Sequence, residues 1–431
     1  MIKMQFFLAL PPDSGRKDLL MYNIKLHNYV PEPQPAAPDR IVAAHYYAAW
    51  KKGAAQIHEG FDDLHDFPER TPLMGYYDEE NPEVCDWEIK WAAEHGVNCF
   101  IHCWYRMKHN EGKPVTVNDL RCGHGLHEAL FNAKYQKYMK FAIMYENQRR
   151  WGSTDPQDLL ENLLPFWTEQ YFKRENYLKI DNKPVLFVFY PHALNEALGT
   201  PEEQSAAFDK CREYMKSQGF DGFIIAYCNT MYRYNKALKH ADVHAENTAR
   251  GYDFCFEYCN PYEAPAEFPA EEDIIEGQLQ GLREHIAIDP MRHMPTVTCF
   301  RDATPRYSER WQALGFKFFN EKRWYLYPDG FRALIHETKK IADTLPEGSW
   351  GRKILMIDNW NEWDEGHYVS PSHEFGFRYL QAIREELTAR DNLPDYRMPQ
   401  DLGLSENLNK SWGNPDLGSI CKQKMEEKAH V

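Results

Sequence analysis

Eight short apolar runs, separated by longer amphipathic stretches, constrain the fold of this chain most strongly. Each run is rich in β-branched and aromatic residues, as buried strands are, and most stretches between them have helical periodicity. The runs occupy residues 41–47, 97–104, 141–145, 184–190, 222–228, 253–258, 296–300 and 354–360, the sixth being the weakest. Helices are predicted at 82–95, 156–172, 202–217, 271–285, 330–344 and 375–390. Eight strands with intervening helices over roughly 350 residues predict an α/β fold, a (β/α)8 TIM barrel with loop insertions.

A doubly wound sheet is the main alternative architecture, and it usually has a glycine-rich turn after its first strand. No such turn follows Tyr47, and no internal repeat or Gly/Ser linker divides the chain. We therefore predict a single-domain barrel at residues 40–393. An N-terminal lead-in at 1–39 precedes it, and a peripheral C-terminal tail at 394–431 follows it.

The composition argues against two classes of partner. The formal net charge is −15 and no Lys/Arg cluster occurs, whereas nucleic-acid binding needs clustered positive charge. No stretch reaches the ~18 apolar residues of a membrane span. The apolar run at 6–10 is shorter than a signal-peptide core. The location is therefore predicted to be periplasmic or secreted if a signal peptide was removed, and cytoplasmic otherwise.

The ten cysteines are spaced irregularly, and several lie inside apolar runs. This placement is typical of buried thiols rather than of a disulfide framework. Cys255 and Cys259 form a C-x3-C pair without a second pair, which is a poor zinc signal. We predict no metal site and no cofactor.

Aromatic and polar residues gather where the predicted strands end, which is where TIM barrels carry their active sites. Aromatic faces pack against the C–H side of a sugar ring, and polar groups bind its hydroxyls. Any one of these residues could equally serve ordinary packing, but together they predict an oligosaccharide or polysaccharide substrate. The candidates are Tyr46, Tyr47 and Trp50; Trp104, Tyr105 and Arg106; Tyr145 and Glu146; Tyr190 and His192; Tyr227 and Asn229; and Arg301. His45 and His102 lie within strand runs and are interpreted as core histidines.

The eighth run leads into a dense polar and aromatic segment with Glu362 and Glu365 as candidate catalytic residues. Burying acids costs several kcal/mol unless they are hydrogen-bonded or functional, and the alternative is a solvated turn. Flanking tryptophans make such a turn less favourable, because turns prefer Gly, Ser and Pro. Glycosidic cleavage needs one protonated carboxyl group and a second, ionised one. Further candidate substrate contacts in this segment are Trp360, Asn361, Trp363 and His367.

Residues 361–366, Asn-Glu-Trp-Asp-Glu-Gly, resemble the N-E-W-x-E-G signature of glycoside hydrolase family 99, which contains endo-α-mannosidases and endo-mannanases. They are also similar to WbsX-like proteins of polysaccharide loci, often labelled glycosyltransferases. Residues 72–78, 86–89, 94–98 and 103–106 resemble the WbsX-like pattern. Asp364 stands where family 99 has a histidine.

The resemblance implies a TIM barrel and a retaining hydrolysis without a covalent enzyme intermediate. By this resemblance, Glu362 deprotonates the sugar 2-hydroxyl, which attacks C1 to form a 1,2-anhydro sugar. Glu365 protonates the leaving group and then acts as a base. This route needs a 2-oxygen trans to the leaving group, which admits α-mannosides and α-rhamnosides and excludes α-glucosides.

Two other functions stay open from the sequence. A WbsX-type glycosyltransferase would need a nucleotide-sugar site, formed by a basic or glycine-rich loop or by a metal-binding D-x-D motif. Neither occurs at a strand end. A non-catalytic carbohydrate-binding barrel would keep the aromatic residues and tolerate loss of either glutamate.

Overall fold

A barrel of eight parallel strands forms the centre of the molecule. The computed structural model describes residues 29–53, 60–148, 152–230, 239–259, 267–307, 322–389 and 392–410. The strands are β1 Ile41–Tyr46, β2 Cys99–Arg106, β3 Lys140–Tyr145, β4 Lys183–Val188, β5 Ile224–Cys228, β6 Phe254–Phe256, β7 Thr296–Thr298 and β8 Ile354–Asp358. Each lies within two residues of a predicted run, because these residues alone combine apolar side chains on both faces with high β propensity.

The strands pair in the order β6–β5–β4–β3–β2–β1–β8–β7. Between β6 and β7 an isolated parallel bridge joins Cys255 to His293. There the Cys255 amide donates to the Arg292 carbonyl and the Met294 amide donates to the Cys255 carbonyl, both at 2.9 Å. The sheet is thereby nearly closed, and the predicted (β/α)8 barrel is confirmed.

Helices connect the strands and cover the outside of the barrel. They are α1 Pro82–Glu94, α2 Pro191–Leu198, α3 Pro201–Ser217, α4 His240–Ala249, α5 Glu271–Ile288, α6 Pro328–Asp343 and α7 Arg378–Leu387, with a short turn at Trp350–Lys353. Residues 156–172 are helical throughout but alternate between α and π hydrogen bonding. The sequence explains where α3 begins. Thr200 is the N-cap and forms a capping box with Glu203, and Pro201 is the first residue of the helix.

Short antiparallel pairs lie at the carboxyl ends of β2, β7 and β8, and another lies at the amino end of β4. Asn361–Glu362 pairs with His367–Tyr368 immediately after β8, and we call residues 361–368 the β8 hairpin. Phe300–Arg301 pairs with Trp324–Tyr325 beyond β7. Smaller pairs attach Leu120–Arg121 to β2 and Lys179–Ile180 to β4.

The segments before and after the barrel both contact α1. The Ala36 amide donates to the Ala93 carbonyl at 2.9 Å. The Trp91 indole donates to the Arg397 carbonyl at 3.2 Å. Eight buried cysteines lie in the described part of the chain, and no disulfide joins any cysteine there. Among the described residues, no helix combines the length and apolar character that crossing a membrane requires.

Candidate active site

The β8 hairpin carries both candidate catalytic glutamates and is fixed from behind by the loop after β7. The Asp302 amide donates to the Glu365 and Gly366 carbonyls at 3.2 and 3.1 Å. Gly366 has a φ of +60°, and a Cβ atom there would meet the Asp302 carbonyl oxygen at 2.4 Å. The signature therefore ends in glycine for two reasons, a left-handed backbone and a close backbone approach.

Arg306 binds three carboxylates of the hairpin at once. It lies in a short helical turn, Thr304–Tyr307, that follows β7. Its Nε and Nη2 each lie 3.0 Å from an Asp364 oxygen, in a bidentate pair. Nη2 also contacts Glu362 at 3.1 Å, and Nη1 contacts Glu365. Asp364, in the position of the family 99 histidine, thus orients the arginine that joins the two glutamates.

Glu365 is held in the ionised form by its surroundings. Arg301 and Arg306 both contact its carboxylate, and His367 Nε2 lies 3.0 Å from its Oε2. Burial alone would raise the pKa of Glu365, but these three groups outweigh burial and hold the pKa well below its usual range.

The surroundings of Glu362 favour its protonated form. Burial, reinforced by the charge of Glu365, raises the pKa of Glu362 to about 8, although Arg306 opposes the shift. The Tyr258 hydroxyl donates to Glu362 Oε2 at 3.2 Å. Because one pKa is raised and the other lowered, the pair carries a single proton at neutral pH.

His367 connects Glu365 to a buried aspartate under the hairpin. Its Nδ1 lies 3.2 Å from Asp358 Oδ2, which also accepts a hydrogen bond from the Thr298 hydroxyl. Burial would lower the pKa of His367, but Asp358 and Glu365 raise it to about 9. His45 Nδ1 lies 3.2 Å from the other Asp358 oxygen. The imidazolium of His367 thereby adds positive charge beside Glu365.

The structure brings several predicted substrate contacts close to the glutamate pair. Arg301 and His367 contact Glu365 directly. Tyr47 lies near enough to Glu362 and Arg306 to interact electrostatically with both. Tyr105 follows it, with ring centroids 6.4 Å apart, and interacts electrostatically with Glu146. Their role in substrate binding stays a prediction.

Other predicted contacts have their polar atoms engaged elsewhere. Tyr46, Trp50 and Trp360 are buried, as are Asn361 and Trp363 within the hairpin itself. The remaining ones bond to helices and loops around the barrel: Trp104 to Tyr171, Arg106 to Asp158, Tyr145 to the Gly152 carbonyl, Tyr227 to His244, and Asn229 to Glu257 and His285. Tyr190 and His192 contact each other at the end of β4, with ring centroids 5.7 Å apart.

Sequence reasoning missed Arg306, Tyr258 and Asp358 as members of the site. Asp358 at the end of the eighth run carried the strongest signal, because an acid completing an apolar strand must find partners. Tyr258 ends the weakest run. Arg306 has no local signal, since only the fold brings it to residues 56–59 positions away.

Two groups of side chains in the described residues have metal-ligand chemistry. Cys255, His285 and His293 are all buried, but the two imidazole rings stack at 4.5 Å with an interplanar angle of 6°. In-plane lone pairs of parallel rings do not converge on one ion. The second group is Cys259 with Asp358 and His367, in which the carboxylate and the imidazole already bind each other. We assign no metal to either group.

Replacing Gly366 with alanine should destabilise the hairpin and impair turnover. The left-handed backbone alone costs about 1–3 kcal/mol for a non-glycine residue, and the contact with Asp302 adds to this. A displaced Glu365 should lower kcat/KM by about 10²-fold. Gly376→Ala is the matched control, because its φ is +57° but nothing lies within 4 Å of the added Cβ. Urea denaturation and steady-state kinetics measure both effects, and equal losses in the two variants would contradict the steric argument.

These features define a class, a (β/α)8 barrel with an acidic pair beyond its eighth strand. The family model described as Glycosyltransferase WbsX matches residues 47–383, and the chain belongs to this family. The resemblance inferred from residues 72–106 and 361–366 is thereby confirmed.

Known proteins similar to this chain include two curated relatives and a solved structure. Two strains of Xanthomonas campestris pv. campestris have an uncharacterized protein WxcX, 21% identical over 337 and 341 residues. Each match covers 75% of this chain and 44% of the relative, so the chain spans less than half the length of these relatives. The GH99 endo-alpha-mannosidase from Bacteroides thetaiotaomicron matches with a TM-score of 0.50 and 14% identity, over 80% of this chain and 95% of that one. The structural match shows a shared fold.

Proposed function

We propose that this chain is a carbohydrate-active enzyme, a retaining glycoside hydrolase that cleaves a 1,2-trans glycoside in a complex glycan or polysaccharide. The observation that carries the proposal is the unequal environment of Glu362 and Glu365, which leaves the pair with one proton. Glycoside cleavage needs this state, one carboxylic acid beside one carboxylate. An α-mannoside or α-rhamnoside is the substrate type that the family resemblance supports.

The proposed reaction proceeds in two steps through the substrate's own 2-oxygen. In the first, Glu362 takes the proton of the 2-hydroxyl, the 2-oxygen bonds to C1, and the C1–O bond to the leaving group breaks as Glu365 protonates the departing oxygen. In the second, Glu365 takes a proton from water, whose oxygen bonds to C1 and opens the 1,2-anhydro ring. The 2-oxygen then recovers its proton from Glu362.

In the substrate-free protein, the proton is favoured on the glutamate that these roles need ionised. The surrounding charges favour the proton on Glu362, whereas the roles implied by the resemblance need it on Glu365. A bound substrate would supply two hydrogen bonds that favour the opposite protonation. Its 2-hydroxyl donates to Glu362 and stabilises the ionised form, and its glycosidic oxygen accepts from Glu365 and stabilises the protonated form. We propose that substrate binding shifts the proton in this way.

A panel of glycosides tests the reaction class. We expect turnover of α-mannoside or α-rhamnoside, and none of the matching α-glucoside or of a 2-deoxy analogue, because these lack a trans 2-hydroxyl. Product analysis by NMR should show retained configuration. Turnover of the 2-deoxy analogue at a similar rate would contradict the 2-hydroxyl route. Transfer from a nucleotide sugar, without hydrolysis of any glycoside, would favour a glycosyltransferase, and tight glycan binding without any product would favour a binding protein.

A further inference from the structure

The sequence segment around residues 72–89 belongs to the family pattern, yet it contributes no side chain to the contacts of Glu362 and Glu365 described above. In the structure it lies directly behind the β8 hairpin. The Leu73 amide donates to the Pro371 carbonyl and the His373 amide donates to the Thr71 carbonyl, both at 2.9 Å. The segment is therefore joined to the chain on the far side of the hairpin.

Three side chains of this segment each bind one hairpin or adjoining residue. The Trp360 indole donates to Glu88 Oε1 at 3.1 Å. The Asn361 amide group donates to Glu79 Oε1 at 3.1 Å. The Trp363 indole donates to the Tyr77 hydroxyl at 3.2 Å. The three bound residues flank Glu362 on both sides along the chain, so these contacts control where its carboxyl group lies.

We propose that Tyr77, Glu79 and Glu88 form a clamp of positioning residues for Glu362, in which each accepts one hydrogen bond from a residue beside Glu362. The proposal rests on the proposed function only for its catalytic consequence. Its structural part concerns the order of the hairpin and can be measured without a substrate.

The Tyr46 hydroxyl fixes the second oxygen of Glu88. It donates to Glu88 Oε2 at 2.8 Å, while the Trp360 indole donates to Oε1. Both oxygens of Glu88 therefore have a donor, which fixes the carboxyl group against Trp360.

Glu79 is held in the same way. Its Oε1 accepts from the Asn361 side chain at 3.1 Å, and its Oε2 accepts from the Trp50 amide at 3.0 Å. Each acid thus joins one residue beside Glu362 to a second fixed group, which is the Trp50 backbone for Glu79 and the Tyr46 hydroxyl for Glu88.

No cation among the described residues offsets the burial of the two acids. Burial raises the pKa of both Glu79 and Glu88 to about 8. Within the described residues no lysine or arginine forms an ion pair with either acid, and burial keeps His124, 3.5 Å from Glu79, neutral by lowering its pKa to about 4. Other titratable groups that face them are Glu80, Cys85, Tyr77 and Cys122.

Four variants test the clamp. Glu88→Gln keeps both contacts, because its carbonyl still accepts from Trp360 and its NH2 group can donate to the Tyr46 hydroxyl oxygen. Glu88→Leu loses both bonds. Glu79→Gln replaces one carboxylate oxygen by an NH2 group, which would then face the Asn361 side-chain NH2 group or the Trp50 amide, both of which are donors. Glu83→Gln is the control, since it lies on the same helix and is only partly buried.

The first measurement is hydrogen–deuterium exchange of peptides covering 358–368, and the second is kcat and KM on the glycoside that wild type cleaves. We expect Glu88→Gln and Glu83→Gln to match wild type within about threefold. Exchange should be about tenfold faster in Glu88→Leu and Glu79→Gln, since each leaves a buried polar group unsatisfied. In these two variants kcat should fall more than KM rises.

The outcomes distinguish failure of the clamp from failure of the proposed hydrolysis. Unchanged exchange in both Glu88→Leu and Glu79→Gln would overturn the clamp. Exchange as fast in Glu88→Gln as in Glu88→Leu would also overturn the clamp, because it would mean that the charge of Glu88 matters and its contact with Trp360 does not. If Glu88→Leu does not fold, the two glutamine variants still decide. If wild type cleaves no glycoside, the proposed function fails while the exchange data still test the clamp.

Discussion

Glu362→Gln and Glu365→Gln should each lower kcat/KM on a natural glycan by ~10²-fold or more, because each removes an acid/base group. The two losses should respond differently to the leaving group. An aryl glycoside with a good leaving group needs no protonation of the departing oxygen. If Glu365 is the general acid, Glu365→Gln should therefore keep a near wild-type kcat/KM for release of the aryl group, whereas its kcat should fall because Glu365 is also the base of the second step. Glu362→Gln should stay impaired on both substrates, since no leaving group replaces the base.

The reverse pattern would assign the acid role to Glu362, the residue on which the surrounding charges place the proton. Wild-type turnover by both variants would contradict any role for the pair. The pH profile adds a readout that does not depend on the assignment. Because the pair loses its shared proton as pH rises through about 8, activity should fall on the alkaline side near that pH. Asp401→Asn, a change at the periphery, controls for nonspecific effects of removing a carboxylate.

How much of this molecule could be predicted depends on the range of the interactions involved. The barrel strands follow from local pattern, so even the weak sixth run contains a strand, Phe254–Phe256. Helix α4 was not predicted. Its sequence from His240 to Ala249 is mostly polar, and only Val243 and Asn247 are buried. A helix with so narrow a buried face lacks the apolar stripe on which sequence recognition depends.

The site was predictable only where its members are close in sequence. Glu362 and Glu365 stand out because they follow an apolar strand. Glu88 looks like an ordinary helix acid, although its contact with Trp360 spans 272 positions. Aromatic residues at strand ends could not be sorted into sugar contacts and packing, because that difference depends on which way each ring points. Trp360 and Tyr47 are both buried, but the Trp360 indole bonds to Glu88 on α1, whereas Tyr47 interacts electrostatically with Glu362 and Arg306.

Arg306→Met should destabilise the protein by about 3–5 kcal/mol, the range for removing one partner of a buried ion pair. The arginine side chain is 4% exposed and is the shared cation of Glu362, Asp364 and Glu365. Without it, Asp364 loses both bonds of its bidentate pair while remaining fully buried. The free energy of unfolding from urea denaturation at pH 7 measures the loss. Arg283→Met is the control, because its pair with Glu276 is exposed and should contribute only about 0–1 kcal/mol.

The pH dependence of the Arg306→Met deficit distinguishes lost charge pairing from lost packing. In the variant, Glu365 loses one of the cations that oppose its burial, so its folded-state pKa should rise from far below to above that of the unfolded chain, whereas the pKa of Glu362 is already raised in wild type. A raised acid pKa destabilises the folded state increasingly as pH rises above the unfolded value, and protonation relieves the penalty at low pH. The deficit should therefore be smaller at pH 5 than at pH 7. An equal deficit at both pH values would mean that Arg306 acts through its packing, and the shared cation would then not account for the opposite bias of Glu362 and Glu365.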